Sequence, residues 1–379
     1  MSRPVDRRRF AALLAGSAAA GAVAASRGEA SIRVGEVVNS GELPAREASW
    51  YRKLEANRVE CQLCPQSCKV ADAERGTCGV RENRGGTYFT LVHSLACSVH
   101  ADPIEKKPFF HVMPGELALS YAAAGCNVEC KFCQNWEISQ FRPEQVRSLY
   151  LPPEALVSMA KGAKARLTAA TYSEPVVFWE YVRDAAEAAR KAGLAATVVS
   201  NGFIQETPLK EVLPLLRAVK VDLKSFRDTF YRDQVRGRLE PVLKSLEVIR
   251  GAGVWLEIVV LVIPTLNDSE TEIRDLARWV KTNLGREVPV HFTRFHPTYR
   301  LTDLPPTPVA TLERAWSVAR AEGLDFAYLG NVPGHPGEST RCPACDAILV
   351  KRLGFTVLDN RLVDGACPDC HRTIPGVWR

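Results

Sequence analysis

At 379 residues the chain has room for a core of ordinary size with one or two small modules, and a composition of 46% hydrophobic and 24% charged residues is that of a soluble globular protein. The formal charge of +6 is half accounted for by residues 1–30, which hold five arginines against two acids, so the remainder offers no strong electrostatic footprint for nucleic acid. Twelve cysteines in so long a chain argue against the disulfide framework of a short secreted domain, and their grouping over 61–78, at 97, over 126–133 and over 342–370 reads as metal sites.

The first thirty residues run Asp6-Arg7-Arg8-Arg9-Phe10, then an Ala-rich apolar stretch from Ala11 to Ala25 that includes Ala22-Val23-Ala24. A basic start, an apolar stretch and small residues have the layout of an export signal. The arginine pair followed by x-Phe resembles a twin-arginine signal, a route that carries folded, often cofactor-loaded proteins. Export is therefore expected, with a cytoplasmic location as the alternative. No other apolar run approaches the ~20 residues needed to span a bilayer, and no membrane surface is evident.

Residues 31–60 read as a polar linker, and 61–114 as a Cys-rich, Gly-punctuated module. From 115 to 330, β-runs at 117–123, 168–172, 195–200, 218–223, 255–262, 290–295 and 326–329 alternate with helical patterns, among them 176–192, 268–284 and 307–322. Such alternation implies βαβ units and a parallel sheet. The expected fold class is α/β, a partial or complete (β/α) barrel, with a doubly wound sheet as the competing arrangement. No G-x-G-x-x-G follows a strand and no G-x-x-x-x-G-K is present, so dinucleotide and P-loop readings lack support. Residues 331–379 form a separate small module.

The loop after the first of these strands reads Cys126-Asn127-Val128-Glu129-Cys130-Lys131-Phe132-Cys133. Three thiols at i, i+4 and i+7 can converge on one iron–sulfur cubane, which usually takes four cysteines. With three, one iron is left open as a chemical handle, on what would be the catalytic face of a barrel. Zinc is the alternative, with Cys97 or a His as its fourth ligand. Gly125 to Cys133, with Phe132 before the last cysteine, resembles the radical S-adenosylmethionine (SAM) signature.

That resemblance implies a [4Fe–4S] cluster on Cys126, Cys130 and Cys133, SAM bound to the open iron, and reductive cleavage to a 5′-deoxyadenosyl radical that abstracts hydrogen. It extends through Asp102-Pro103-Ile104-Glu105-Lys106-Lys107-Pro108, Cys133-Gln134-Asn135-Trp136, Ser200-Asn201-Gly202-Phe203, Asp222-Leu223-Lys224 and Phe295-His296-Pro297, which are similar to relatives of pyruvate formate-lyase activating enzyme. With both flanking Cys-rich segments, the match is closest to the radical SAM component of the AmmeMemoRadiSam system, over residues 58–379. It implies an electron-donor protein and partners of the Memo-like and AMMECR-type families. By the same resemblance the SAM contacts are Phe132, Glu174, Ser200, Asn201, Asp222, Lys224 and His296. Lys224 would pair with the SAM carboxylate, and Asp222 would join a small cation site. Glu174 lies in Tyr172-Ser173-Glu174-Pro175, where relatives often have a Gly-rich segment. The i, i+2 spacing of Asp222 and Lys224 puts both on one sheet face.

Cys342-Pro343-Ala344-Cys345 and Cys367-Pro368-Asp369-Cys370 are two C-x-x-C knuckles and read as a structural zinc ribbon, with a rubredoxin-like iron site or disulfides as alternatives. Segments 348–350 and 356–358 between them read as hairpin strands. Six basic against five acidic residues leave this module without the patch that nucleic acid requires. Cys61, Cys64, Cys68 and Cys78 offer four more ligands for zinc or an auxiliary cluster, while Cys97 reads as a small buried apolar residue. Competing functions are a glycyl-radical activase, an inactive metal-binding scaffold or zinc-ribbon interaction protein, and a disulfide-rich exported protein.

Overall fold

The computed structural model describes residues 32–38 and 43–379, so the export segment at 1–30 lies outside the described residues. One sheet holds eight strands side by side in chain order: β1 Ser98–Pro103, β2 Leu117–Ala122, β3 Leu167–Ala170, β4 Ala195–Ser200, β5 Ala218–Asp222, β6 Trp255–Val262, β7 Val290–Arg294 and β8 Ala327–Gly330. β2 and β3 pair in parallel, as do β5 through β8. Runs such as Ile-Val-Val-Leu-Val in β6 are apolar on both faces and largely buried, the mark of a strand covered on both sides. The expected strands therefore stand, each within two residues of its reading. β1 is an addition. Its sequence SVHADP carries no apolar alternation, so it read as part of the Cys-rich module.

The longer helices are α1 Pro153–Gly162, α2 Trp179–Lys191, α3 Glu206–Val212, α4 Leu239–Gly251, α5 Glu270–Asn283 and α6 Val309–Ala321. The helix expected from 176 begins later, because Pro175–Phe178 forms a 3₁₀ turn whose Val176 N–H donates to the Glu174 carboxylate at 3.1 Å. α5 starts after Ser269, whose Oγ accepts the Glu272 N–H, and not at the Asn267-Asp268 pair. Asn267 is buried and used otherwise: its Oδ1 accepts the Ile263 N–H at 2.6 Å, and its Nδ2 donates to the carbonyls of Lys224 (2.8 Å) and Leu261 (2.9 Å).

By packing, the chain forms two compact units. The first gathers the described residues up to Asp102 with Leu117–Asn127 and Asn135–Thr197; the second holds Pro103–Glu116, Val128–Gln134 and Val198–Arg379. In the first unit, the stretch read as a linker contains strands. Arg46–Glu47 pairs with Thr87–Thr90, and Tyr51–Lys53 pairs with Val59–Cys61, which pairs in turn with Lys69–Val70. Ala48 and Trp50 are the buried anchors of this polar stretch. Strands of two or three residues have no period to read, which is why composition alone made it a linker.

In the second unit the C-terminal strands Thr340–Arg341, Ile348–Leu353 and Thr356–Asn360 form an antiparallel sheet, longer than expected at its hairpin. Its core unites Cys342, Leu349, Cys367 and Ile374 with Phe110, Phe326 and Tyr328. Arg352 from the hairpin donates to the Phe110 carbonyl at 2.7 Å, with its guanidinium 4.2 Å from the Phe110 ring. His111 Nδ1 lies 2.7 Å from the Pro375 carbonyl, so it carries the proton, and His111 Nε2 lies 2.6 Å from Tyr328 Oη.

Candidate functional site

In the first unit, β2 runs into Gly125, whose φ of +100° suits glycine. A side chain there is also sterically barred: a Cβ would stand 2.6 Å from Val80 Cγ1 and 3.1 Å from the Cys78 carbonyl oxygen. Cys126 follows, half-buried. Asn127 is buried, and its carbonyl accepts from Gln66 Nε2 at 3.0 Å. The turn after β3 serves the same loop. Ser173 Oγ donates to the Ala123 carbonyl at 2.5 Å, and the Glu174 N–H reaches the Gly125 carbonyl at 3.5 Å. Glu174, expected at SAM, is buried and caps the Pro175–Phe178 turn. Tyr172 has a φ of +68°, accepts from Asn135 Nδ2 at 2.7 Å and donates its hydroxyl to Asp102 Oδ2 at 2.6 Å. Burial first, and then Asp102, push that hydroxyl's pKa well up.

In the second unit, Cys130 is buried and Cys133 half-buried, and the Cys133 N–H closes a turn on the Cys130 carbonyl at 3.2 Å. This run docks on a π-helical turn, Tyr231–Val235. The Glu129 N–H donates to the Val235 carbonyl at 2.8 Å, and the Lys131 N–H to the Gln234 carbonyl at 3.0 Å. π-turns of this kind concentrate at functional sites. Phe132 is buried against Phe230, ring centroids 5.8 Å apart, a packing role for the residue expected at SAM.

β5 delivers the charged set. Asp222 Oδ2 lies 3.0 Å from Lys224 Nζ, and its Oδ1 lies 2.9 Å from Lys220 Nζ. Burial alone would lower the Lys224 pKa, but Asp222 and then the Cys130 thiol hold its ammonium charged and shift it well upward. Asp222 is shifted down against its own burial by the two lysines. Lys224 is fixed through its backbone as well: its carbonyl accepts from Asn267, and its N–H donates to Tyr231 Oη at 3.1 Å. Lys220 escaped the sequence reading, although 220, 222 and 224 alternate on one face, which was the available signal.

Ser200 and Asn201, at the end of β4, are buried and bonded locally. Ser200 Oγ accepts the Gly202 N–H (3.0 Å), and Asn201 Oδ1 accepts the Phe203 N–H (2.8 Å). His296 is exposed, two residues beyond β7.

The C-terminal cysteines form a closed set. The sulfurs of Cys342, Cys345, Cys367 and Cys370 all lie within 4.8 Å of one another, with Cys342–Cys370 at 3.5 Å and Cys345–Cys367 at 3.6 Å. Four thiolates around a tetrahedral ion with bonds near 2.3 Å stand about 3.8 Å apart. The two knuckles repeat each other. The Asp346 N–H returns to the Cys342 carbonyl and the His371 N–H to the Cys367 carbonyl, both at 2.9 Å, with Asp346 and His371 both at φ +60°. Burial opposes the Cys367 thiolate, yet the N–H groups of Cys370 and Asp369 bring its pKa down to about 7. The geometry and donor chemistry suit a single thiophilic ion.

Cys61, Cys64, Cys68 and Cys78 of the first unit are all free thiols. Burial pushes Cys78 up to about 11 and raises Cys61 and Cys64. Arg81 is fully buried beside them and paired with Glu180: its Nη1 donates to Glu180 Oε1 at 3.0 Å, and its Nη2 bonds the second oxygen. Cys97 is half-buried, with a thiol pushed by burial up to about 12 and an N–H donating to the Ala122 carbonyl at 2.8 Å.

Comparison with known proteins supplies the remaining evidence. The sequence model of the radical SAM superfamily matches residues 121–279. The uncharacterized protein MJ0808 of Methanocaldococcus jannaschii is 43% identical over 310 residues, covering 82% of this chain and 92% of that protein. Pyruvate formate-lyase 1-activating enzyme of Escherichia coli K12 is 21% identical over 215 residues, 52% of this chain and 87% of that enzyme. Among solved structures, a domain of pyruvate-formate lyase-activating enzyme from Bacteroides vulgatus matches at 18% identity and TM-score 0.39, over 43% of this chain and 98% of that one.

Proposed function

We propose that the chain, whose residues 121–279 match the radical SAM superfamily model, is an enzyme of that class, and that Cys126, Cys130 and Cys133 hold a [4Fe–4S] cluster at the mouth of a partial (β/α) barrel, leaving one iron to bind SAM. The residues fit that group. Three cysteines outside any disulfide lie on one short loop, and the half-buried ammonium of Lys224 stands in the field of Cys130. When bound, the cluster and SAM supply a 5′-deoxyadenosyl radical that abstracts hydrogen. The protein binds, orients and excludes water. Asp222, itself kept ionised by Lys220, holds Lys224 charged and aimed, ready to meet a carboxylate. Asn267 and Tyr231 fix its backbone. Phe132 seats the loop against Phe230.

We assign the SAM contacts to Glu174, Ser200, Asn201, Asp222, Lys224 and His296, the C-terminal four-thiolate site to zinc, and the whole to the AmmeMemoRadiSam type. An electron-donor protein and Memo-like and AMMECR-type proteins are then its partners, and the twin-arginine route its means of export. The pairing of Lys224 with Asp222 in the field of Cys130 is the observation that carries this reading.

The test is anaerobic reconstitution of the leader-less protein with iron and sulfide, reduction, addition of SAM, and quantification of 5′-deoxyadenosine. Wild type is expected to accumulate it and Cys130→Ala to abolish it. A protein that assembles no cluster sinks the reading. The similarity to pyruvate formate-lyase 1-activating enzyme favours one narrower version, a glycyl-radical activase. That version requires a stable protein radical on an added partner.

A further inference from the structure

We propose that Lys220 takes the place of the small cation expected at Asp222: its ammonium is a built-in monovalent charge on that carboxylate, so the site works without sodium or potassium.

A lysine is out of keeping with the strand that carries it. β5 reads Ala218-Val219-Lys220-Val221-Asp222, and every residue before Asp222 is buried. The Lys220 side chain is only 6% exposed, so its charge has left water and needs a partner to offset that cost. Strand alternation puts 220 and 222 on one face, and the partner is Asp222 Oδ1, 2.9 Å from Lys220 Nζ. The neighbouring acid is engaged elsewhere. Glu257 lies beside Lys220 in the register of β5 with β6. Its Oε1 accepts from the His111 N–H (2.9 Å) and from Trp255 Nε1 (3.1 Å), and its Oε2 accepts from the Phe110 N–H (3.0 Å) with His291 Nε2 2.7 Å away.

Asp222 therefore does not fit a metal cation. Its Oδ2 accepts from Lys224 Nζ at 3.0 Å. Its Oδ1 is buried and receives no directed hydrogen bond, so without Lys220 it would be an open oxygen for an ion. Lys220 Nζ stands at that oxygen instead. Hard cations gather a shell of oxygen lone pairs. An ammonium has three donors and no lone pair, so it cannot join such a shell, and it repels a second cation at contact distance. The charge count agrees. Two ammoniums against one carboxylate leave one positive charge, which a single ligand carboxylate neutralises. An added metal ion would leave a charge in excess. Burial works against the Asp222 carboxylate, and Lys220 ahead of Lys224 holds it ionised. Lys220 is thus a positioning residue, acting on Asp222 and through it on Lys224.

The test compares wild type with variants in sodium, potassium and choline chlorides at equal ionic strength. Lys220→Met keeps an apolar stem, removes the charge and leaves the Asp222–Lys224 pair in place, so the chain should fold. Wild type is expected to unfold at the same temperature in all three salts. Lys220→Met is expected to gain about 2–4 °C in sodium or potassium over choline, and to broaden the sodium NMR line in titration. Lys220→Met/Asp222→Asn, which removes the oxygen, should lose both responses, and Lys220→Arg, which keeps the charge, should show neither. A wild type as responsive to sodium or potassium as Lys220→Met overturns the proposal, and so does a Lys220→Met without any response. SAM affinity is a separate arm, which rests on the radical SAM reading. Wild type should bind SAM equally in the three salts, whereas Lys220→Met should bind about tenfold more weakly in choline and recover in sodium or potassium. If neither protein binds SAM in any salt, that reading fails, while the unfolding and sodium NMR measurements still decide what stands at Asp222.

Discussion

The two flanking cysteine sets both hold four thiols outside any disulfide, yet they sit in different company. The C-terminal set is self-contained. Two near-identical knuckles bring four sulfurs together, and their surroundings are apolar residues and a hairpin. The set at 61–78 has irregular spacing, a buried guanidinium beside it, and side chains that reach the loop carrying Cys126. We read the first as a staple that closes a module and the second as a support for the loop after β2, because Gln66 bonds the Asn127 carbonyl and Val80 packs against Gly125. Spacing alone does not distinguish the two uses; their neighbours do.

The contrast is open to direct attack. The largest effect is expected from Cys345→Ser/Cys370→Ser. Structural thiolate sites of this kind supply folding free energy outright, so the C-terminal module should unfold, read as loss of the environment of Trp378 in fluorescence. Iron in the central cluster should persist. Equal loss of iron would erase the distinction between staple and support.

Arg81→Met comes next. It strands the Glu180 carboxylate in the interior and should destabilise the protein by about 3–5 kcal/mol in denaturant unfolding, whereas Arg81→Met/Glu180→Leu should recover most of that. Failure of the double variant to recover would mean that Arg81 serves the thiolates more than it serves Glu180.

The smallest effect is a pH dependence on the C-terminal side. Burial holds His111 down at about 4, so the folded protein resists a proton that the unfolded chain accepts at 6.5. Glu257 feels burial upward, but His291, 2.7 Å away, brings it down to about 2 from 4.5. Both signs agree. Stability should be flat above pH 6.5 with respect to these groups, fall as pH drops through His111's range, and fall further toward pH 2 as Glu257 is protonated. His111→Gln should remove the upper part of that slope, and thermal unfolding from pH 8 to 3 measures it.

Much of this was legible beforehand, for physical reasons that can be named. Strands such as Trp255–Val262 announce themselves because burial on both faces forces an apolar run, here Ile258–Val262. Asp222 and Lys224 were legible because strand alternation fixes which side chains share a face, and the same rule, carried one step further, reaches Lys220. Cysteine spacing carried the C-terminal set. What escaped notice depends on partners distant in sequence. Arg46–Glu47 is a strand only because Thr87–Thr90 lies beside it. Asn267 resembles a helix start until its two carbonyl partners are seen.

The π-turn at Tyr231–Val235 has a consequence for the order of events in the cell. Its Gln234 and Val235 carbonyls receive the N–H groups of Lys131 and Glu129, more than a hundred residues earlier in the chain. A nascent polypeptide that has not yet reached Val235 lacks the acceptors that give the Cys130 loop its shape. Under the proposed cluster assignment, metal loading of that loop belongs after Val235 has been translated, and a ribosome-stalled fragment ending before Tyr231 should present these thiols as an unshaped segment.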